Sequence, residues 1–423
     1  MSSPPESLSI VIPAANEGTS IGDVIRRARA QLEPLGLELE ILVVDGGSTD
    51  GTQRAAAEAG ARVLQQPSRG YADALLTGLR AAGGTYVISM DADYSHDPDF
   101  LRSLWAHRHE AEVLIASRYV DGGYGQMSWS RKLQSRLLNR LSASLLSLPV
   151  RDLSSGFRLY HRRVLAGLAP RATNFDVLIE LLTLIHSDGW RVKEVPFHYR
   201  PRWGGRSHAS LVRFAIGYVR TLVRMWVVRN SLESADYDDR AFSSRIPLQR
   251  YWQRRRYAIV LRMLERADHV LDVGCGAGKI LEAFPEAVGV DLNFKPLRFR
   301  RRTNPCLVNG DIRALPFTDQ AFGAVVCSEV LEHLPYDPRV FSEPVRVLRP
   351  GGLLIVGTPD YGRWQWRFIE WWYKRLLPGA HGHMHVERYT EASLRRRLEE
   401  SGVDVLAADT ICRAELILKC RKR

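Results

Sequence analysis

VISMDADYSHDPDF (residues 87–100) begins as an apolar strand and ends with Asp91 and Asp93, one residue apart. Two carboxylates at a strand end repel each other unless something positive sits between them. Mg²⁺ or Mn²⁺ suits that place, because these ions take oxygen ligands and usually keep substrate phosphates and waters in their shell. Asp91 and Asp93 are therefore the candidate metal residues. A competing reading treats the stretch as a helix N-cap, since Asp91, Asp93, Ser95 and Asp97 all precede the helix expected from Pro98.

Outward from this strand, apolar runs alternate with helical stretches. Residues 9–12, 40–44, 62–64, 86–90 and 113–116 read as strands, and 21–32, 52–59, 72–82 and 98–108 as the helices between them. Such alternation predicts a parallel sheet covered on both faces, with ligands beyond the carboxyl ends of its strands. The polar stretch NSLESADYDDRAFSSR (230–245) interrupts the pattern, and a second alternation follows, with strands at 269–273, 287–290, 324–327 and 353–357 and a further pair near the C-terminus. The expected architecture is α/β in two domains, 1–230 and 250–423, joined by a linker over 231–249.

The chain has 423 residues, too many for one ordinary core. Apolar residues make up 45% and charged residues 25%, a globular composition. The formal net charge is +12, and of 59 basic residues seven are Lys and 52 Arg. Arg forks grip phosphate bidentately, so phosphorylated ligands or an anionic membrane surface are the expected partners. Nucleic acid is not expected, since the basic residues are spread along the chain and no nucleic-acid-binding signature is present. None of the five Cys forms a CxxC pair, and the N-terminus lacks a basic, apolar leader pattern, so a reducing cytoplasmic setting is expected.

Other blocks accompany the aspartates: IVIPAANEG (10–18), ILVVDGGSTDGT (41–52), SRGYADALLTGLRAAGG (68–84), SRYVDGG (117–123), DLSSGFRLYHRRVL (152–165) and EVPFHYRPRWGGRSH (194–208). In order and spacing they resemble family-two glycosyltransferases of the GT-A fold, most closely the dolichol-phosphate mannose synthase group, over about residues 8–210. The resemblance implies a nucleotide-sugar donor, GDP-mannose, and a polyprenyl or dolichyl phosphate acceptor whose phosphate oxygen attacks the anomeric carbon and inverts it. It implies that Pro13, Glu17 and Asp45 hold the nucleotide, that Gly70 lets backbone approach the donor, and that Asp91, Asp93 and Ser95 bind metal and diphosphate. Arg118, Arg131 and Arg202 would take phosphate groups. A phosphate acceptor is already ionised near neutral pH, so positioning and charge neutralisation carry the chemistry. Three positions depart from the group's pattern: Ala15 replaces an aromatic, Gly46 an aspartate and His208 a lysine.

Two stretches bear on how such an acceptor is met. RKLQSRLLNRLSASLLSL (131–148) spaces Leu133, Leu137, Leu141 and Leu145 at i+4, and LVRFAIGYVRTLVRMWVV (211–228) is apolar except for Arg213, Arg220 and Arg224. Eighteen helical residues measure about 27 Å, close to the hydrocarbon thickness. Three arginines, each costing about 2.5–3.5 kcal/mol to insert, argue against spanning. An interfacial helix fits better, which places the protein peripherally on the cytoplasmic face of the cell membrane.

VLDVGCGAGKI (270–280) reads as strand, glycine turn and helix start, but Lys279 breaks the dinucleotide fingerprint. With VGVDLN (288–293), NGDIRALPF (309–317), FGAVVCSEVLEHL (322–334), VLRPGGLLIVGTPD (347–360) and HVERYTEASLRRRLEESGV (385–403), it resembles class I S-adenosylmethionine-dependent methyltransferases with a Rossmann-like fold. By that resemblance Asp272, Gly274, Gly276 and Gly278 cradle the amino-acid end of S-adenosylmethionine. Asp291 takes the ribose hydroxyls, Asp311 and Ile312 flank the adenine, and Ser328 and Glu329 lie near the methyl group. His333 reads as structural and the alternating His381, His383 and His385 as incidental loop histidines, a metal or base role being the alternative. Trp364, Phe368, Trp371 and Trp372 form a stripe that reads either as core packing or as an interfacial cap.

Together these readings predict a bifunctional enzyme: a glycosyltransferase feeding polyprenyl phosphate, fused to a methyltransferase acting, at oxygen, on a sugar or glycolipid of the same pathway. The alternatives are a glycan acceptor, or a degenerate sugar-nucleotide module that recruits the methyltransferase to membranes.

Overall fold

Why the N-terminal strands carry unbroken apolar runs is explained by the layers they separate. In the computed structural model, which describes residues 6–200, 211–265, 267–304, 306–376 and 385–423, Leu8, Ile10 and Ile12 of β1 (Ser7–Ala14) enter one core cluster and Val11 the other. In β2 (Glu38–Asp45), Ile41 and Val43 go one way and Leu42 and Val44 the opposite way. The pleat has period two, so a strand buried on both faces needs apolar residues at every position. The Ile21–Leu32 helix buries Ile21, Val24, Ile25, Ala28 and Leu32, an i, i+3, i+4, i+7 stripe, against one of these faces.

The described residues separate into two compact units that change over between Arg229 and Asn230, with Ser187–Gly189 grouped in the second. The first sheet also contains β3 (Arg62–Gln65), β4 (Tyr86–Ser89), β5 (Val113–Ser117), β7 (Arg158–His161) and β8 (Val192–Pro196), in the order β3-β2-β1-β4-β7-β5-β8. Short strands β6 (Tyr124–Gly125) and β9 (His198–Tyr199) pair separately. The sheet is not wholly parallel as expected: β7 runs antiparallel to both β4 and β5. Its apolar content is brief, and its Arg158 side chain is folded inward rather than exposed, so no simple alternation marks it as a strand.

In the second unit, β10 (Val270–Val273), β11 (Val288–Asp291), β12 (Leu307–Asn309), β13 (Phe322–Ser328), β14 (Leu348–Pro359), β15 (Val403–Ile411) and β16 (Glu415–Lys422) stand in the order β12-β11-β10-β13-β14-β16-β15. The first five are parallel, while β16 is antiparallel to both β14 and β15. Residues 231–249, expected to be a linker, instead carry the Tyr237–Phe242 helix and the start of the Pro247–Leu264 helix. Tyr237 and Ala241 are buried there, which gives the polar-looking stretch a packed face.

Candidate active sites

In the first unit, the carboxyl ends of β1, β2 and β4 converge. The N-cap reading of the aspartates falls to a different residue: Asp97 caps the turn at Pro98–Phe100, accepting from the Asp99 amide at 3.2 Å. Asp97 also binds Arg27 at 2.7 Å and Arg200 at 3.1 Å. Asp91 and Asp93 are not used as helix caps; Asp93 accepts from the Ser95 amide at 3.0 Å in a local turn. Asp91 lines a cavity of about 230 Å³ together with Arg118, Arg131, Ser154, Tyr71 and Tyr199. Burial and then the charge of Asp93 push the Tyr199 hydroxyl up, which puts that ring beside the aspartates as well. The structure thus brings Asp91, Arg118 and Arg131 to one cavity.

His96, absent from the sequence reading, orders this edge. Its Nδ1 accepts from the Asp91 amide at 2.9 Å, so Nε2 carries the proton and lies 3.6 Å from Asp91 Oδ2. The ring is 4% exposed and stacks on Phe157, with centroids 5.0 Å apart. Arg158 is fully buried and donates to the carbonyls of Ser155 (2.7 Å), Leu178 (2.7 Å) and Leu153 (2.6 Å), which fixes the loop forming the cavity wall.

Arg118 is not a loose phosphate hook. Its Nε and Nη2 clamp Asp152 at 2.8 and 2.7 Å, and Nη2 also reaches Ser154 Oγ at 2.7 Å. Burial disfavours both charges, yet the pairing holds the Asp152 carboxyl below its ordinary range and the guanidinium above its own. Arg131 is exposed on the first turn of the Trp129–Leu146 helix. Arg202, and His208 with it, lie outside the described residues. Glu17 takes a contact from Ser20 Oγ at 3.3 Å, and Pro13 is half-buried at the end of β1. Asp45 is fully buried; burial opposes its charge, but Ser48, Gln53 and Gly47 donate to it and hold it below the usual range. Gly70 has φ +118°, and a Cβ there would lie 2.7 Å from the Thr173 carbonyl, so only glycine fits. A side chain at Gly46 would touch Ala15 Cβ at 3.2 Å, so two of the departures noted above are neighbours in space.

In the second unit a cavity of about 350 Å³ is lined by Asp272, Gly274, Gly276, Gly278, Asp291, Ser328 and Glu329, the residues the resemblance groups there. Asp311 and Ile312 are not among its lining residues. Asp311 is held by Arg313 (Nη2–Oδ2 2.5 Å), and Ile312 is packed into the core. Asp291 accepts from the Gly276 amide at 2.8 Å and the Asn293 amide at 2.7 Å. Asp238, from the Tyr237–Phe242 helix, reaches the same glycine turn, accepting from the Ala277 amide at 3.3 Å; a Cβ on Gly276 (φ +48°) would clash with its Oδ2. Burial, then the charges of Asp291 and Asp238, raise Asp272 to about 8. Burial likewise raises Asp238 and Asp291. Arg256, also a lining residue, bridges Glu415 (2.6 Å) and Glu329 (3.1 Å).

Residues 9–168 match the family model for glycosyl transferase family 2, and residues 271–356 match that for a methyltransferase domain. The chain joins a family-2 glycosyltransferase domain to a methyltransferase domain. Among solved structures, glucosyl-3-phosphoglycerate synthase from Mycobacterium tuberculosis, in complex with Mn²⁺, UDP-glucose and phosphoglyceric acid, is 23% identical, with 52% of this chain and 80% of that chain covered at a TM-score of 0.41. A structure described only as a mycobacterial protein is 24% identical, with 52% and 74% covered and a TM-score of 0.42.

The methyltransferase domain implies S-adenosylmethionine as methyl donor, and the donor set of its cavity fits that molecule. Asp238, Asp272 and Asp291 crowd three carboxylates around one glycine turn, where an ammonium, a sulfonium and a ribose diol offer the charge and donors they need. Ser328 Oγ and Glu329 Oε1 are buried without a hydrogen-bond partner, and both residues line the cavity. In the glycosyltransferase domain the oxygen donors at the β4 end fit a hard divalent cation. The aromatic stripe settles as surface: Trp364, Phe368, Trp371 and Trp372 are 65, 53, 50 and 43% exposed, while Trp366, Ile369 and Glu370 from the same helix line the methyltransferase cavity. His96, Arg158, Asp238 and Arg256 were missed because each acts through a packed neighbour; only the run of acids and arginines around them hinted at more.

Proposed function

We propose that the glycosyltransferase domain moves a sugar from a nucleotide sugar, GDP-mannose, to a polyprenyl phosphate with inversion, and that the methyltransferase domain methylates an oxygen of a sugar or glycolipid of the same pathway. The observation that carries the acceptor assignment is one helix with two duties. Trp129–Leu146 sends Arg131 into the cavity beside Asp91 and leaves Leu133, Leu137, Leu141 and Leu145 between 47 and 58% exposed. The Leu211–Arg229 helix packs against it and leaves Ile216, Val219, Val223 and Val227 exposed. No helix among the described residues is long and apolar enough to cross a membrane. An apolar surface contiguous with a cationic cavity suits a lipid whose phosphate enters while its chain stays in the bilayer, on an anionic membrane surface. Arg224, one of the three arginines of the 211–228 stretch, binds the buried Glu180 at 2.7 Å and serves the fold.

In this reading Asp91 and Asp93, with Ser95, hold Mg²⁺ or Mn²⁺, which offsets the charge on the departing nucleoside diphosphate. His96 orients Asp91, and Tyr71 and Gly156 shape the space in front of it. Arg131 draws in the acceptor phosphate, and the Arg118–Asp152 clamp holds the facing wall in register. Pro13, Glu17 and Asp45 bound the nucleotide side, and the room left by Ala15 and Gly46 lies there too. In the methyltransferase domain, Asp272 and Asp238 face the ammonium of S-adenosylmethionine and Asp291 its ribose. The bound cofactor supplies an electrophilic methyl group.

Incubating the full chain with Mn²⁺, vesicles containing polyprenyl phosphate and GDP-, UDP- or dTDP-sugars tests the first activity. Sugar recovered on the lipid phosphate is the expected result, with GDP-mannose the best donor. Turnover of UDP-glucose onto a soluble phosphorylated acid, with the lipid untouched, would replace this acceptor and donor.

A further inference from the structure

Among the described residues one cluster has the ligand types of a metal site: Glu332, His333 and His385 each present an atom within 4.8 Å of the others. It opens on the methyltransferase cavity, which His333, His385 and Glu329 all line. Glu332 is 0% exposed; its Oε2 accepts from Thr358 Oγ1 at 3.1 Å, while its Oε1 has no hydrogen-bond partner. A buried carboxylate oxygen with nothing donating to it is costly, and a cation is the partner that would offset that cost. His385 Nδ1 lies 2.7 Å from the Tyr361 hydroxyl, which donates in turn to Glu370 Oε1 at 3.3 Å. That relay makes Nδ1 the protonated nitrogen and Nε2 the ligating one, the outer-shell support typical of metal-bound histidine. The His385 ring also stacks on Trp366, and its centroid is 5.0 Å from that of His333. Glu329, at the rim, is a non-glycine residue at φ +59°, a strained geometry held where it faces the cavity.

We infer that Glu332, His333 and His385 form a divalent-cation site that binds the oxygen of a hydroxyl-bearing methyl acceptor. The inference rests on the methyltransferase reading. Two imidazoles and one carboxylate suit Mn²⁺, Co²⁺ or Zn²⁺, and three protein ligands leave positions open for substrate. A hydroxyl on the cation loses its proton to water more readily. Its oxygen then forms the bond to the methyl carbon as the carbon–sulfur bond breaks, the electron pair staying on sulfur so that S-adenosylhomocysteine departs. The acceptor class is therefore a polyol, such as a sugar, rather than an amine or a carbon nucleophile.

The test uses the full chain carrying Asp91→Asn and Asp93→Asn, so that the other proposed cation site is disabled, and cobalt(II) as the probe. The expected result is about one equivalent bound, with ligand-field absorption bands characteristic of imidazole coordination. Tyr361→Phe, which keeps the ring but removes the partner of His385, weakens cobalt binding about tenfold. His385→Ala abolishes the bands while S-adenosylmethionine still raises the melting temperature. Absence of cobalt binding, or bands unchanged in both His385→Ala and Tyr361→Phe, would overturn the site. Loss of S-adenosylmethionine binding by the unaltered chain would instead overturn the methyltransferase reading, and the two failures are separately visible.

Discussion

Asp91 and Asp93 were legible as a pair from their spacing alone, but their meaning was not, because a cap and a metal site share the same acidic letters. What separates them is that Asp97 alone caps Pro98–Phe100. His96 was not legible: it acts on Asp91 by folding back onto that residue's own amide, a contact no periodicity announces. Replacing both Asp91 and Asp93 with Asn is expected to cut sugar transfer on the order of 100-fold or more, since charge stabilisation at the leaving group is lost. A melting-temperature rise with S-adenosylmethionine, unchanged in that variant, separates lost chemistry from lost folding. Asp272 carries a second expectation. Its folded value is about 8 against an ordinary 3.8, so between those values the folded chain holds a proton that the unfolded chain has released. Stability of the ligand-free domain therefore falls as pH rises from about 4 toward 8 and levels off above. The cationic cofactor favours the carboxylate and expels that proton, so its affinity rises with pH up to about 8. Titration calorimetry in buffers of different ionisation enthalpy reads the release directly, and Asp272→Asn should reduce it, leaving the share of Asp238 and Asp291.

At the scale of elements, the strands and helices with apolar stripes were readable because burial on two faces, or on one stripe, writes itself into the sequence. Residues 231–249 were not, because Tyr237 and Ala241 are the only packed side of a short acidic helix, and Asp238 looks like surface until it meets the glycine turn. β7 was missed for a related reason: Arg158 is a fully buried cation satisfied by three carbonyls. Arg158→Met leaves those acceptors unpaired and should cost about 2–4 kcal/mol of stability, measured by denaturant unfolding of the full chain. The leucine stripe of Trp129–Leu146 was legible, and its exposure gives it a consequence. Leu137→Asp with Leu141→Asp should weaken binding to anionic vesicles on the order of 10–100-fold and slow transfer to long-chain polyprenyl phosphate. Hydrolysis of the nucleotide sugar should stay unchanged, since neither leucine lines the cavity.

For the whole molecule, two cavities of different chemistry lie in two separately cored units. The cavity of the first unit sets Asp91 beside Arg118 and Arg131. The methyltransferase cavity crowds carboxylates around space for a cationic cofactor. Variants in one are accordingly expected to leave ligand binding in the other intact. The fold class was legible from strand–helix alternation, whereas the antiparallel direction of β7 and β16 was not. The most direct test of the central claim is a Mn²⁺ titration, followed by electron paramagnetic resonance, of the chain carrying His385→Ala, with and without nucleoside diphosphate. One tightly held ion that depends on the diphosphate and disappears with Asp91→Asn and Asp93→Asn is the predicted result. Mn²⁺ binding that ignores the nucleotide, or survives loss of both aspartates, would contradict it.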